Sequence, residues 1–384
     1  GQRRAASSGP PATPLAALEP SVLQAIARCC AAGELLALRE ACSASRRGAE
    51  AVQGGRLYVF GGCAAVAKSM NVLRAVECFD LATGKWEAMP AMKVARFGNV
   101  AGAIGGDVIV CGGIGEFGRV VEKFNFRLQK WETRTPPPKL SVVRAHAAAA
   151  VVDGRLYICG GEDRDAGIVH SSVECFDPGM ADGTGGCEAL PFLMSAPRRH
   201  FAAVACPFPG QPDTLLVCGG KPFVSTWEDA DWTMNGERAL ATSEALDFSH
   251  YGSSWQEKAR MTWPRCCHSA ASLRSSIFVC GGTHGDGSMT STVDRYDRTR
   301  SCWISMPQTL FDRCLSPAAT LADRLYVVGG FNRVKGFSGG WLSGSGAECF
   351  DPTEERWELL PDMIEARHNF AMVAVKLGGP LGPR

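Results

Sequence analysis

Six times along the chain an apolar run ends in a glycine doublet: LYVFGG from Leu57, VIVCGG from Val108, LYICGG from Leu156, LLVCGG from Leu215, IFVCGG from Ile277 and LYVVGG from Leu325. Recurrence every 48 to 62 residues constrains the fold more than any composition value, because a unit that small cannot bury its own apolar faces and must stack on copies of itself. Three more marks keep step with the doublets. An acid and, three residues on, a turn-forming residue follow each one: Glu77 and Asp80, Glu122 and Asn125, Glu174 and Asp177, Glu244 and Asp247, Asp294 and Asp297, Glu348 and Asp351. A tryptophan stands six residues further in four units (Trp86, Trp131, Trp303, Trp357) and eight further in one (Trp255), while the third unit offers only Cys187. An arginine completes each unit, at Arg96, Arg144, Arg199, Arg265, Arg313 and Arg367.

Each unit reads as four short strands. The first follows the arginine, as in AHAAAAVV from Ala145; a tight turn such as Asp153-Gly154 leads to the second, which ends at the doublet; the third is of the VECFD type and the fourth carries the tryptophan. Radial stacking of six such sheets buries the faces between neighbours and leaves only short edges, so the expected fold is all-β, a six-bladed propeller. The segment HNFAMVAV after Arg367 is a first strand with no second strand behind it, whereas the first unit lacks a first strand. Closure of the ring by this carboxyl-terminal strand follows.

These marks resemble the Kelch repeat, and the resemblance covers about residues 54 to 377. Departures are the tryptophan missing from unit three, Lys221 and Thr283 directly after their doublets, and long loops in units four and six. The resemblance implies a protein-binding module whose partner docks over one mouth of the ring, as in Kelch substrate adaptors of ubiquitin ligases; an actin-binding or cytoskeletal scaffold and, third, a propeller enzyme are the competing readings.

Loops joining strands two to three and four to one open on the same face, and the arginine series lies on the second kind. Guanidinium forks suit carboxylates, so Arg96, Arg144, Arg199, Arg265, Arg313 and Arg367 are candidates for gripping an acidic segment of the partner. The other role open to them is bracing a blade through a backbone carbonyl or the strand-three acid. Four loop aromatics outside the repeat pattern, Trp227, Trp232, Phe337 and Trp341, are candidate contact anchors or a lid folded over the ring. Asp229 and Asp231 are placed to mask the arginines.

Cysteine number is high, 17, yet Cys111, Cys159, Cys218 and Cys280 share one repeat position and Cys78, Cys175 and Cys349 another, which makes them reduced core residues rather than a disulfide framework. The adjacent pairs Cys29-Cys30 and Cys266-Cys267 lack zinc-site spacing, and no metal or cofactor is expected. Four of the seven histidines, at 146, 200, 268 and 368, fall near the start of a first strand and are repeat features first. With no nucleophile elbow and no phosphate loop, no catalytic residue is expected. A balance of 40 basic against 39 acidic residues provides no field for nucleic acid or an anionic membrane.

Residues 1–14 read as a flexible tail, 15–52 as a helical segment, 53–377 as the propeller and 378–384 as a tail. The helical segment is similar to a degenerate F-box through Leu18, Pro20 and an ELLxLR stretch from Glu34 to Arg39, with Leu35 and Leu36 as the residues to grip a ubiquitin-ligase scaffold. A plain helical cap is the alternative. No apolar run of membrane-spanning length and no secretory signal is seen, so the cytosol or nucleus is the expected compartment.

Overall fold

A computed structural model describes residues 54–376, apart from 67–68, 115–117, 133–136, 181–184, 209–210, 224–238, 249–253 and 334–340. Six four-stranded antiparallel sheets follow one another along the chain. From the inner to the outer strand, blade one is Ala371–Lys376, Gly55–Phe60, Val76–Asp80 and Lys85–Met89. Blades two to six begin with the inner strands Asn99–Ile104, Ala148–Val152, Ala202–Phe208, Ser269–Leu273 and Ala318–Leu321. The carboxyl-terminal strand pairs with the first in full register, from Gly55 opposite Lys376 to Phe60 opposite Ala371, so the expected closure is the observed one.

Local chemistry makes the blades. Second strands are rich in β-branched and aromatic residues, and Leu57, Tyr58, Val59 and Phe60 are all fully buried, as suits a strand covered on both faces. Turns between strands one and two adopt left-handed pairs, at Asp153 and Gly154 (φ 46° and 71°) and, without a glycine, at Ala322 and Asp323 (φ 48° and 59°). The turn residue after strand three works through its side chain: Asp80 Oδ1 accepts the backbone N–H groups of Ala82 at 2.9 Å and Thr83 at 3.3 Å, and Asp351 does the same for Thr353 and Glu354.

Each apolar core lies between two blades. Tyr58, Phe60 and Cys78 of blade one pack with Val108, Val110 and Phe124 of blade two. The last core joins Tyr326, Val328 and Cys349 of blade six to Leu57, Val59 and Phe79 of blade one. Tryptophan staples the outer edge: Trp131 Nε1 donates to Pro90 O at 2.8 Å, Trp357 to Pro307 O at 2.9 Å and Trp86 to Pro361 O at 2.9 Å, in each case the preceding blade. In blade three Cys187 stands opposite Phe176 in the missing tryptophan's place. The expected amino-terminal helical segment, with Leu35 and Leu36, and the tail after 377 lie outside the described residues.

The candidate binding face

The arginine series does not present free guanidiniums at the mouth. Arg96, Arg144, Arg265, Arg313 and Arg367 are at most 1% exposed, and in blade four the residue in register is Arg198, not Arg199. Each guanidinium binds the first carbonyl of its own blade's doublet and the strand-three acid. Arg96 Nη1 donates to Gly112 O and Val120 O, both at 3.0 Å, and its Nη2 to Glu122 at 2.8 Å. Arg198 repeats this on Gly219 O (2.8 Å), Thr242 O (3.2 Å) and Glu244 (3.0 Å). Arg367 closes the ring on Gly61 O and Glu77 of blade one. The physical reason is that the doublet's carbonyls and the acids are buried, and a buried carboxylate needs a fully engaged cation. Burial lowers the pKa of Arg96 and Arg265, against the pull of Glu122 and Asp294, but guanidinium stays charged. The bracing role is therefore the one these side chains fill.

The same arginines tie blades together through their backbone. Arg96 O accepts from Gly62 N at 2.9 Å, and a Cβ on Gly61 would meet that oxygen at 2.5 Å. With φ of 67° and 98° at Gly61 and Gly62, no side chain fits the doublet.

Two residues past each brace the backbone turns left-handed, at Gly98, His146, His200, Cys267, Leu315 and Asn369, with φ between 52° and 66°. The N–H of each donates to the carbonyl of the one before, and Gly98 N closes the circle on Asn369 O at 2.8 Å. This hydrogen-bonded circlet borders a central channel of about 170 Å³ lined by the first strands. Asn99 Oδ1, His268 Nδ1 and Ser269 Oγ line it without a protein partner, and the channel has room for water to serve them.

Around the circlet the residue after each doublet pairs with the residue after each brace: Cys63 with His368, Glu162 with Ala145, Lys221 with Arg199, Thr283 with Cys266 and Phe331 with Cys314. One sector of this rim is charged. Glu162, fully buried, bonds His146 Nδ1 at 2.7 Å and Arg164 Nε at 2.9 Å, with Arg199 Nε at 3.4 Å. Burial would raise the Glu162 carboxyl, but His146, Arg199 and Arg164 outweigh it and hold it at about 2. Desolvation lowers the pKa of His146 and pushes His200 well below the usual histidine range, so both rings are neutral. His146 Nε2 bonds the Asn369 amide at 2.8 Å, its ring lies where a Cβ on Gly98 would stand, and His200 stacks on it at 3.9 Å. With Lys221 half-buried alongside, the sector carries three cations against the carboxylate of Glu162. Cys266, in the same rim, has its thiol pKa lowered to about 6 by the hydrogen bond from Cys267 and by Lys221, Thr283 and Arg199.

Exposed apolar side chains are distributed unevenly. Among the described residues, Met70, Val72, Ile168, Leu193, Phe223, Trp263, Leu342 and Ile364 are exposed on the loops of this face, and Leu128 alone on the other. Three of the sequence's loop anchors, Trp227, Trp232 and Phe337, lie outside the described residues, as do Asp229 and Asp231. Trp341 opens the strand Trp341–Ser343, paired opposite Phe331–Arg333 in the blade-six loop. Sequence reasoning missed Phe223, Trp263, Arg164 and Glu162; position after a doublet was the available signal for Glu162, as it was for Lys221.

The sequence profile described as the Kelch motif matches residues 51–93, 144–180, 264–309 and 312–364. The chain is 26% identical over 265 residues to Kelch-like protein 25 of Xenopus tropicalis, covering 66% of this chain and 39% of that protein. It is 34% identical over 266 residues to human Kelch-like protein 38, covering 67% and 40%. The chain thus spans well under half the length of these relatives. A solved structure titled "Structure of YjhT" superposes with a TM-score of 0.59 at 15% identity, over 79% of this chain and 97% of the other, a likeness of fold.

Proposed function

This chain is a Kelch-repeat protein, and from that premise we propose that its ring is a protein-interaction module whose partner docks on the face carrying the two-to-three and four-to-one loops. The observation that carries the reading is the concentration of exposed apolar side chains on that face, eight of the nine among the described residues. Scattered single hydrophobics are ordinary on a surface; a one-sided set around a charged rim is what an interface needs. An acidic partner segment fits the sector of blades three and four, where the partly exposed Arg164 and Lys221 accompany the buried Arg199, and Ile168 and Phe223 are exposed on the same loops. Arg199 is thus the one residue of the predicted arginine set that enters this contact.

Within that reading the ring serves as the substrate-recognition part of a ubiquitin-ligase adaptor in the cytosol, supported by the likeness to Kelch-like proteins and by the F-box-like residues Leu35 and Leu36. Comparing what wild-type protein and Trp263→Ala, Phe223→Ala and Lys221→Glu variants retain from extract tests the docking face. Loss of the same proteins from folded variants is expected; unchanged retention by all three refutes the face. Recovery of a ubiquitin-ligase scaffold that is lost on Leu35→Asp with Leu36→Asp is expected for the adaptor, whereas cosedimentation with actin filaments instead would make the protein a cytoskeletal scaffold.

A further inference from the structure

Repeat equivalence separates what the scaffold requires from what this chain has added. The circlet position tolerates Gly98, Cys267, Leu315 and Asn369, and the position after the doublet tolerates Cys63, Ile114, Lys221, Thr283 and Phe331. Neither requires histidine or glutamate. Yet His146 and His200 occupy neighbouring circlet positions and Glu162 stands beside them, with ligand atoms of all three within 4.8 Å of one another. We propose that His146, Glu162 and His200 bind a borderline divalent metal ion such as zinc, cobalt or nickel.

Two imidazoles and one carboxylate are the donor set such ions take, at about 2.0–2.2 Å. Around a tetrahedral ion, donors at that radius stand roughly 3.3–3.6 Å apart, so atoms spread over as much as 4.8 Å close by about an ångström or a little more when the ion binds. Two features mark the corner. Among the described residues Glu162 Oε2 is buried and accepts no hydrogen bond, its ion-pair contact being Arg199 Nε at 3.4 Å, and the His200 ring makes no hydrogen bond, stacking on His146 instead. An ion inserted between His146 Nδ1 and Glu162 sends the ring proton from Nδ1 to Nε2, which then donates to Asn369 once that amide turns its oxygen inward; a hydrogen bond of that kind orients a ligating histidine. The spacing of 16 residues from His146 to Glu162 and 38 from there to His200 belongs to no metal motif, because three different loops supply the ligands.

Charge works against the ion and makes the proposal specific. Arg164, 19% exposed, and Arg199 both face Glu162, so a divalent ion meets two guanidiniums and its affinity is held down. Removing Arg164 should therefore tighten binding.

The test is titration of the chelator-treated full-length protein with cobalt, read by visible absorption and by zinc competition. One equivalent is expected to bind without a near-ultraviolet thiolate band, weakened about a hundredfold by Glu162→Gln and by His200→Ala, and tightened about tenfold by Arg164→Ala. His200→Ala removes only a stacked ring, and matching melting curves establish that each variant is folded. No stoichiometric binding at millimolar cobalt, wild-type affinity in both ligand variants, or a thiolate band placing the ion on Cys266 and Cys267 would overturn the assignment. Arg164→Ala is expected to weaken an acidic partner while it tightens cobalt, so this site and the docking reading fail separately.

Discussion

Arg144→Met tests whether the arginine series is a brace. The side chain is 1% exposed and donates to Gly160 O (2.7 Å), Ser172 O (3.0 Å), Ser172 Oγ (2.7 Å) and Glu174 Oε1 (2.7 Å). Methionine matches much of its volume and makes none of these bonds. It leaves Glu174, fully buried, with the Ser141 N–H at 2.6 Å as its remaining hydrogen bond. Breaking a buried pair from one side costs about 3–5 kcal/mol, most of it the uncompensated charge. For roughly 320 residues unfolding together at about 2.1 cal/mol/K each, that lowers the melting temperature by about 4–8 °C. Adding Glu174→Gln removes the stranded charge but keeps an acceptor for Ser141, so the double variant should regain about 1–2 kcal/mol. Thermal melts followed by circular dichroism read both. If Arg144→Met melts within a degree of wild type and instead loses partner affinity, the brace assignment is wrong and the guanidinium belongs to the mouth.

Deleting residues from 367 onward should abolish cooperative folding, since it strips Arg367 from Gly61 and Glu77 and uncovers the inner edge of Gly55–Phe60; a cooperative melt of the truncated chain would refute closure. Burial pushes His268 and His368 down to about 3, so above the unfolded value near 6.5 both states are neutral and stability is whole. As pH falls from there toward 3 the unfolded chain takes protons the folded one refuses, at a cost of up to about 4 kcal/mol per histidine, and a melting temperature that holds steady from pH 7 to 4.5 would contradict it. Desolvation raises the Cys159, Cys218 and Cys280 thiols to about 12, so in native protein these should resist a thiol reagent that labels them at once in denaturant; rapid native labelling at these residues would place them outside the core.

What the sequence disclosed and what it concealed divide along a physical line. Blade number, strand order and closure were legible because doublet, acid, turn residue and tryptophan each answer a demand that recurs six times, such as the positive φ at Gly61 and Gly62 or the Trp131 staple to Pro90. Arg198 and Arg199 are adjacent, and spacing stretched by the PFPGQPD insertion could not show which one turns inward. Nor did spacing decide between brace and ligand grip, because a guanidinium that binds carboxylates serves both, and only the buried Glu122 and its equivalents settle the choice. The circlet left no trace, since its hydrogen bonds are backbone to backbone and residues as unlike as Gly98, His146 and Leu315 make them equally.

That division bears on where specificity can evolve in such a ring. A position such as Arg96 holds two blades at once, through its carbonyl to Gly62 and its side chain to Glu122, so changing it to suit a partner costs the fold. The residue after the doublet and the two after the arginine repeat only their backbone bonds from blade to blade, as the pairing of Lys221 with Arg199 shows, and the identity of their side chains varies. Variation is therefore tolerated on the rim of the mouth. In this chain it has put Glu162, Lys221, Arg199 and the stacked pair His146 and His200 into adjoining blades, so the chemistry of this ring is concentrated in one sector rather than shared around six.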